Sequence, residues 1–238
     1  MITDKVVFLT GASRGIGREL ALRLAAQQNY LGLLARNETE LKELQSLCLG
    51  NGAPQVRIFA GDVSDEGVVK AAMEAFIGEF GRLDFLINNA GFGIFKPVEE
   101  IGSGEWDEVM DVNVKGTFLC CRYALPAMKA RKQGHIINIA SDVAKRTFPV
   151  GSLYCASKYA QDAFSSALRK EVHPFGIKVS VVYSGLVDTH FHSHPQGSPE
   201  ADSWLKGADM ADAIHYIMAQ PPHVVIDELM IHPLSQAY

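Results

Sequence analysis

The sequence predicts an α/β fold, a doubly wound sheet of seven mostly parallel strands flanked by helices. Two observations predict it. Short aliphatic and β-branched runs alternate with stretches of helical periodicity along the whole chain, the form that repeated βαβ units take in a sequence. Most of these runs are apolar at nearly every position, as in strands that helices cover on both faces. With 238 residues, 47% of them hydrophobic, the chain is long enough for one large core. We therefore predict a single domain over residues 1–238.

The predicted elements follow one another in regular alternation. Strands are predicted over residues 5–10, 30–35, 55–60, 83–88, 134–140, 177–183 and 223–231. Helices are predicted over residues 15–28, 38–49, 65–80, 105–131, 152–173 and 207–219. The stretch 184–206 fits neither pattern, follows a predicted strand and is rich in glycine and proline. Ligands of open α/β sheets bind beyond such strand ends, so we predict a substrate lid there.

Composition narrows the classes of partner. The formal net charge is -5 and the pI about 5.9, and lysine and arginine are scattered, so nothing predicts binding to nucleic acid or to a membrane surface. The apolar runs are far shorter than the roughly 18 residues that span a bilayer. The sequence shows no secretory leader pattern, and its four cysteines include no C-x-x-C pair. We predict a cytoplasmic protein with reduced cysteines and small-molecule partners.

A glycine-rich turn follows the first predicted strand. It reads Thr10-Gly11-Ala12-Ser13-Arg14-Gly15-Ile16-Gly17 and leads directly into a helical pattern. Glycines between a strand and a helix let the backbone turn tightly and approach a pyrophosphate, which the N–H groups of the helix N-terminus bind. The alternative is a helix start that only happens to need glycine. The strand before and the helix after favour a dinucleotide site in a Rossmann-type domain.

The chain resembles the short-chain dehydrogenase/reductase family from end to end. The glycine spacing G-x-x-x-G-x-G is that of the family, and its other motifs occur in the same order. They are Asn88-Asn89-Ala90-Gly91 after the fourth strand, Asn113 in the next helix, Ser141 at the end of the fifth strand, and Tyr154-Cys155-Ala156-Ser157-Lys158 at the start of a helix. The resemblance implies an enzyme that transfers a hydride between a nicotinamide and a carbonyl or alcohol.

The resemblance also implies a role for each catalytic residue. Tyr154 would exchange the proton, Lys158 would bind the nicotinamide ribose, Ser141 would hold the substrate oxygen, and Asn113 would support a proton path through water. Positions four apart share a helix face, so we expect Tyr154 and Lys158 to project into one cleft. An ammonium about 4 Å away, at an effective dielectric near 20, would lower a phenol pKa from about 10 toward 7. We therefore expect an acidified Tyr154.

Taken singly, each of these four residues is more often structural than catalytic, and only their joint occurrence predicts a site. A dinucleotide-sensing regulatory protein without turnover is the alternative function. Such a protein would have no need of the phenol and the serine, so the complete set favours an enzyme.

The end of the second predicted strand indicates which nicotinamide is used. That position holds Arg36 and no acid, and Arg14 in the glycine turn is a second cation. Two guanidinium groups suit a 2′-phosphate, so we predict NADP(H) in preference to NAD(H). Glu38 keeps the second possibility open, since it could bind a ribose. The remaining cofactor contacts follow from the resemblance: Thr10, Gly11, Ser13, Gly15, Ile16 and Gly17 in the turn, Asp62 and Val63 by the adenine, Asn89, Ala90 and Gly91 by the nicotinamide, and Val187 and Thr189 after the sixth strand.

Two features near residue 190 stand apart from the family pattern. Ser184 replaces the proline that usually follows the sixth strand, which makes this turn less rigid. The alternating His190, His192 and His194 could bind zinc, contact substrate as part of the lid, or simply be exposed. We predict no metal site. The family pairs the helices predicted at 105–131 and 152–173 across two-fold axes, so we also predict a homodimer or homotetramer.

Overall fold

The computed structural model describes residues 2–191 and 196–236. Its main sheet has the order β3-β2-β1-β4-β5-β6-β9, and every neighbouring pair is parallel. The strands are β1 (Val6–Thr10), β2 (Tyr30–Ala35), β3 (Val56–Ala60), β4 (Phe85–Asn88), β5 (Gly134–Ser141), β6 (Ile177–Ser184) and β9 (Glu228–Ile231), while β7 (Val187–Asp188) and β8 (Leu205–Lys206) pair separately. The predicted seven-stranded, doubly wound sheet is confirmed.

Helices cover both faces of this sheet. They are α1 (Gly15–Ala25), α2 (Glu38–Gly50), α3 (Glu66–Phe80), α4 (Ser103–Met110), α5 (Gly116–Arg131), α6 (Ser152–Val172) and α7 (Gly207–Met218). One apolar core joins α1, α2 and α7 to the sheet, and a second joins α3, α5 and α6 to its other face. Because the strands between the two cores are buried on both faces, they carry apolar residues at successive positions.

Several boundaries differ from the prediction. The first helix ends at Ala25 rather than near residue 28, because Gln28 has a φ of 57° and turns the chain toward β2. The last strand begins at Glu228, so residues 223–227 form no strand. The short pair β7 and β8 was not predicted, since strands of two residues have no detectable alternation.

The helix predicted over 105–131 is wrong as a single α-helix. The chain forms α4, then a π-helical turn at Asp111–Lys115, and then α5. The side chain of Thr117 donates to the carbonyl of Asn113 at 2.9 Å. A Cβ on Gly116 would lie 2.8 Å from the Val63 side chain, so a larger residue could not take its place without displacing Val63. Single π-turns of this kind are frequent at functional sites.

The four cysteines are buried and form no disulfide. Burial raises the pKa of Cys48 and of Cys121 to about 12, which keeps these thiols protonated and unreactive at neutral pH. Among the described residues, no helix is both long and apolar enough to cross a membrane.

Candidate active site

A cleft of about 740 Å³ opens at the carboxyl ends of the central strands. It lies where β1 and β4 are neighbours, the point at which the strand order reverses and where open α/β sheets bind their ligands. The turns that follow β1 to β6 supply its walls. Its volume is typical of small-molecule sites.

The turn after β1 requires glycine because its backbone lies against the start of α1 and against the turn after β4. Gly11 and Gly15 have φ values of 62° and 55°, a region that other residues rarely adopt. A Cβ on Gly11 would lie 2.8 Å from the Cα of Ala90, and a Cβ on Gly17 would overlap the carbonyl oxygen of Gly11. Because the N-cap residue Arg14 makes no side-chain capping hydrogen bond, the first N–H groups of α1 remain available at the cleft. This cradle fits the pyrophosphate of a dinucleotide.

Thr10 supports the same turn from beneath the cleft. Its hydroxyl accepts hydrogen bonds from the N–H groups of Asn89 and Ala90, both at 3.1 Å. The Asn89 side chain in turn donates to the carbonyls of Thr10 and Gly11, at 3.1 and 3.0 Å. These bonds join the glycine turn and the Asn-Asn-Ala-Gly motif into one edge of the cleft.

Two arginines stand at the end of the cleft beside β2. The side chains of Arg14 and Arg36 are 54% and 69% exposed, and both line the cleft. Each lies near a carboxylate: Arg14 Nε is 3.4 Å from Glu40 Oε2, and Arg36 Nη1 is 4.0 Å from Asp62 Oδ2. Neither pair is a close bidentate one, so both guanidinium groups could turn toward an anion in the cleft.

Ser141, Tyr154 and Lys158 meet in the middle of the cleft. Ser141 ends β5, Tyr154 and Lys158 lie one turn apart on α6, and all three line the cleft. Lys158 Nζ is 5.8 Å from the centroid of the Tyr154 ring. It also donates to the carbonyl of Ile139 at 3.1 Å and to Gln161 Oε1 at 3.0 Å, which fixes its position. The spacing of four residues does bring the two side chains into one cleft.

The expected acidification of Tyr154 is wrong in direction. Burial raises the pKa of Tyr154 above its ordinary value, and a hydrogen bond from Ser141 opposes this shift only in part. Burial also lowers the pKa of Lys158 to about 8. Both side chains are less than 10% exposed, and desolvation of the charged form is the largest cause of each shift. The phenol is therefore protonated at neutral pH.

Asn113 lies behind the cleft and holds one of its walls. The side chain accepts a hydrogen bond from the N–H of Phe92 at 3.0 Å and donates to the Phe92 carbonyl and to Ser157 Oγ, both at 2.9 Å. A Cβ on Gly91 would lie 3.0 Å from Asn113 Oδ1 and 3.6 Å from Lys158 Nζ. Asn113 thus fixes the backbone that passes next to the lysine.

Most of the predicted site residues line the cleft. They are Gly11, Ser13, Arg14, Gly15, Ile16, Arg36, Asp62, Val63, Asn89, Ala90, Gly91, Ser141, Tyr154, Lys158, Val187 and Thr189. Thr10, Gly17 and Asn113 do not reach its surface. Their places are in the layer beneath it, where they shape the turns that the other residues occupy.

Sequence reasoning missed an aromatic wall around Tyr154. Phe95 and Phe191 each have their ring centroid 5.4 Å from that of Tyr154, and Phe148 is 5.8 Å from Phe95. Phe92 also lines the cleft. Phe92 and Phe95 follow β4, Phe148 follows β5 and Phe191 follows β7, so no local pattern in the sequence relates all four.

A buried polar cluster next to Ser141 was also missed. Asp142 Oδ2 accepts hydrogen bonds from Arg146 Nε and Gln236 Nε2, both at 2.8 Å. The other end of the Gln236 amide accepts from the N–H of Leu186 at 2.8 Å. A Cβ on Gly185 would overlap this amide. Gln236 therefore ties the Ser141 turn to the turn after β6, the one in which Ser184 replaces the family's proline.

The segment predicted as a lid is only partly described. Thr189, His190 and Phe191 line the cleft, whereas His192 and His194 fall outside the described residues. Lys206 Nζ and Asp188 Oδ2 lie 2.9 Å apart and join the two ends of the segment. Within residues 2–191 and 196–236, no three histidine, cysteine or acidic side chains are grouped as metal ligands. The prediction about the three histidines stays a prediction.

The chain is similar to known proteins over nearly its whole length. The family model described as short chain dehydrogenase matches residues 5–197. An uncharacterized oxidoreductase of Staphylococcus saprophyticus is 35% identical, covering 99% of this chain and 98% of that protein. An alcohol dehydrogenase from the archaeon Thermococcus sibiricus, solved in complex with 5-hydroxy-NADP, superposes with a TM-score of 0.93 at 31% identity over 100% of this chain and 99% of the other. A serine dehydrogenase in its closed form, complexed with NADP+, gives 0.89 at 27% identity over 100% and 97%.

The sheet order, the glycine cradle and the serine, tyrosine and lysine in one cleft agree with these similarities. The chain belongs to the short-chain dehydrogenase family and is an oxidoreductase.

Proposed function

We propose that this enzyme reduces ketones or aldehydes with NADPH and that Tyr154 donates the proton. One observation carries the proposal: Ser141, Tyr154 and Lys158 line the same cleft as the glycine cradle. When bound, a nicotinamide would supply the hydride. Ser141 and Tyr154 would hydrogen-bond the carbonyl oxygen of the substrate, and Tyr154 would give its phenol proton to that oxygen as the carbonyl is reduced to an alcohol. Because burial raises the pKa of Tyr154, the phenol carries its proton at neutral pH and can donate it to a carbonyl oxygen.

The proposal is tested with a panel of ketones, aldehydes, diketones and pterins, each mixed with NADPH while its absorbance is followed. Consumption that depends on both the carbonyl and the enzyme supports a reductase. If NADPH binds but no carbonyl in a broad panel consumes it, the dinucleotide-sensing alternative is favoured instead.

The choice of NADP(H) over NAD(H) rests on the end of the cleft beside β2. Arg14 and Arg36 line it, whereas Glu38 pairs with Lys42 at 2.8 Å on α2 and does not line the cleft. The Thermococcus sibiricus and serine dehydrogenase structures contain NADP-type ligands. We expect a lower Michaelis constant for NADPH than for NADH, and equal values would contradict the choice.

Lys158 predicts how the reaction depends on pH. Its pKa of about 8 means that the ammonium loses its proton as the pH rises through 8. We propose that the charged form binds the nicotinamide ribose, so kcat/KM for NADPH should fall by up to about tenfold per pH unit above that value. Lys158→Met should be slow and should lack this decline. A decline of unchanged position in Lys158→Met would show that another group causes it.

We also propose that residues 1–238 form one catalytic domain with a substrate lid at residues 184–206, and that the enzyme acts in the cytoplasm. Trp106 on α4, Phe118 on α5 and Tyr159 on α6 are each more than 40% exposed, and we propose that these helices pair in a homodimer or homotetramer. Light scattering tests this, and a monomeric mass would contradict it.

A further inference from the structure

We propose that the natural substrate carries an aromatic or similarly flat apolar group next to its carbonyl. The inference rests on the proposed reductase function and gives its substrate class. A substrate whose oxygen lies at Ser141 and Tyr154 must place its other groups against the neighbouring side chains of the cleft. Among the described residues that line the cleft, those neighbours include Phe92, Phe95, Phe148 and Phe191.

The rings form a continuous wall. Phe95 meets Tyr154 edge to face at 5.4 Å and 76°, and it also contacts Phe148 at 5.8 Å and Phe191 at 6.2 Å. The Phe95 side chain is 41% exposed although it lies among other rings, so it presents apolar surface to the cleft. Rings set at an angle to one another can receive a further ring edge to face or in offset stacking.

Gly93 lets the rings of this wall pack directly against the backbone. A Cβ on Gly93 would lie 2.7 Å from Phe95 Cζ, 3.1 Å from Tyr154 Cδ2 and 3.2 Å from Phe191 Cζ. With any other residue at position 93 the three rings would be pushed apart. The arrangement of the wall therefore depends on the absence of a side chain there.

The charges at this end of the cleft do not favour an acidic substrate. Among the cations that line the cleft near Ser141 and Tyr154, Lys158 donates to the carbonyl of Ile139 and to Gln161 Oε1, and Arg146 donates to the Asp142 carboxylate. The Asp142 side chain is 5% exposed and is therefore a fixed counter-charge. A substrate carboxylate would have to compete with this buried pair, whereas an apolar ring meets no such competition.

The test compares kcat/KM with NADPH for acetophenone, butanone and acetoacetate, which are an aryl ketone, a small alkyl ketone and a small keto acid. We expect acetophenone to exceed both others by about 10- to 100-fold, the effect of burying one phenyl ring. Phe95→Ala and Phe148→Ala should each lower the value for acetophenone by about tenfold and that for butanone by less than about threefold. Phe175→Ala is the matched control, since that ring lies outside the cleft against Lys129.

Different failures have different meanings. A preference for butanone or acetoacetate, with NADPH consumed, would overturn the substrate class and leave the reductase intact. Equal losses for all three ketones in Phe95→Ala and Phe148→Ala, with unchanged thermal unfolding, would also overturn it. If no carbonyl consumes NADPH, the proposed function itself fails, and the substrate class with it. Phe95→Leu keeps an apolar side chain without a ring and should fall between wild type and Phe95→Ala.

Discussion

Tyr154→Phe should lower kcat for ketone reduction by about 10²- to 10⁴-fold, the usual contribution of a positioned general acid. The substitution removes one hydroxyl and keeps the ring that packs against Phe95 and Phe191. Binding of NADPH should therefore stay close to wild type. The measurement is steady-state turnover with a responsive ketone, together with a fluorescence titration of NADPH.

The matched control for this substitution is Tyr216→Phe. Tyr216 lies on α7, is 58% exposed and does not line the cleft, so its loss should leave kcat unchanged. Wild-type turnover in Tyr154→Phe would remove the phenol from the mechanism. Loss of both turnover and NADPH binding would instead mean that the hydroxyl supports the site structurally.

The main sheet and the position of Tyr154 and Lys158 in one cleft could be predicted because local sequence patterns encode them. A strand buried on both faces is apolar throughout, and Tyr154 and Lys158 share a helix face by their spacing alone. The glycines at 11 and 17 are required by backbone segments that nearly touch, so they mark the turn wherever a strand precedes it and a helix follows. Such features can be predicted from residues that are close together in the chain.

The features that sequence reasoning missed depend on residues far apart in the chain. Gln236 and Asp142 are 94 positions apart, and only the folded sheet brings the amide of one to the carboxylate of the other. The π-turn is similar, because Asn113 gains its partners Phe92 and Ser157 from other elements. Neither pairing leaves a periodic signal in the sequence.

The direction of the pKa shift of Tyr154 also depends on residues far apart in the chain. A pairwise estimate from the i,i+4 spacing includes the attraction to Lys158 but omits the desolvation of both groups. Tyr154 is 7% exposed and Lys158 4% exposed, so that omitted contribution is the larger one. Burial is set by the whole fold and could not be estimated from residues 154–158 alone.

Replacing Arg14 and Arg36 together with alanine should lower kcat/KM for NADPH by about a hundredfold and change that for NADH by less than about threefold. Each substitution would remove charge-assisted hydrogen bonds to the 2′-phosphate. At these exposed positions we expect the loss of each arginine to lower kcat/KM for NADPH by about tenfold. Because both arginines would bind the same phosphate, the double variant measures their joint contribution, which the two single variants do not give by addition.

Arg122→Ala is the control for this pair, since Arg122 is 55% exposed, pairs with Glu66 and does not line the cleft. Its kinetics with both cofactors should match wild type. A parallel decrease for NADPH and NADH in the double variant would mean that the arginines support the pyrophosphate or the fold and do not recognise the 2′-phosphate. A selective loss for NADPH would assign cofactor choice to this end of the cleft, because NADH differs from NADPH only by lacking that phosphate.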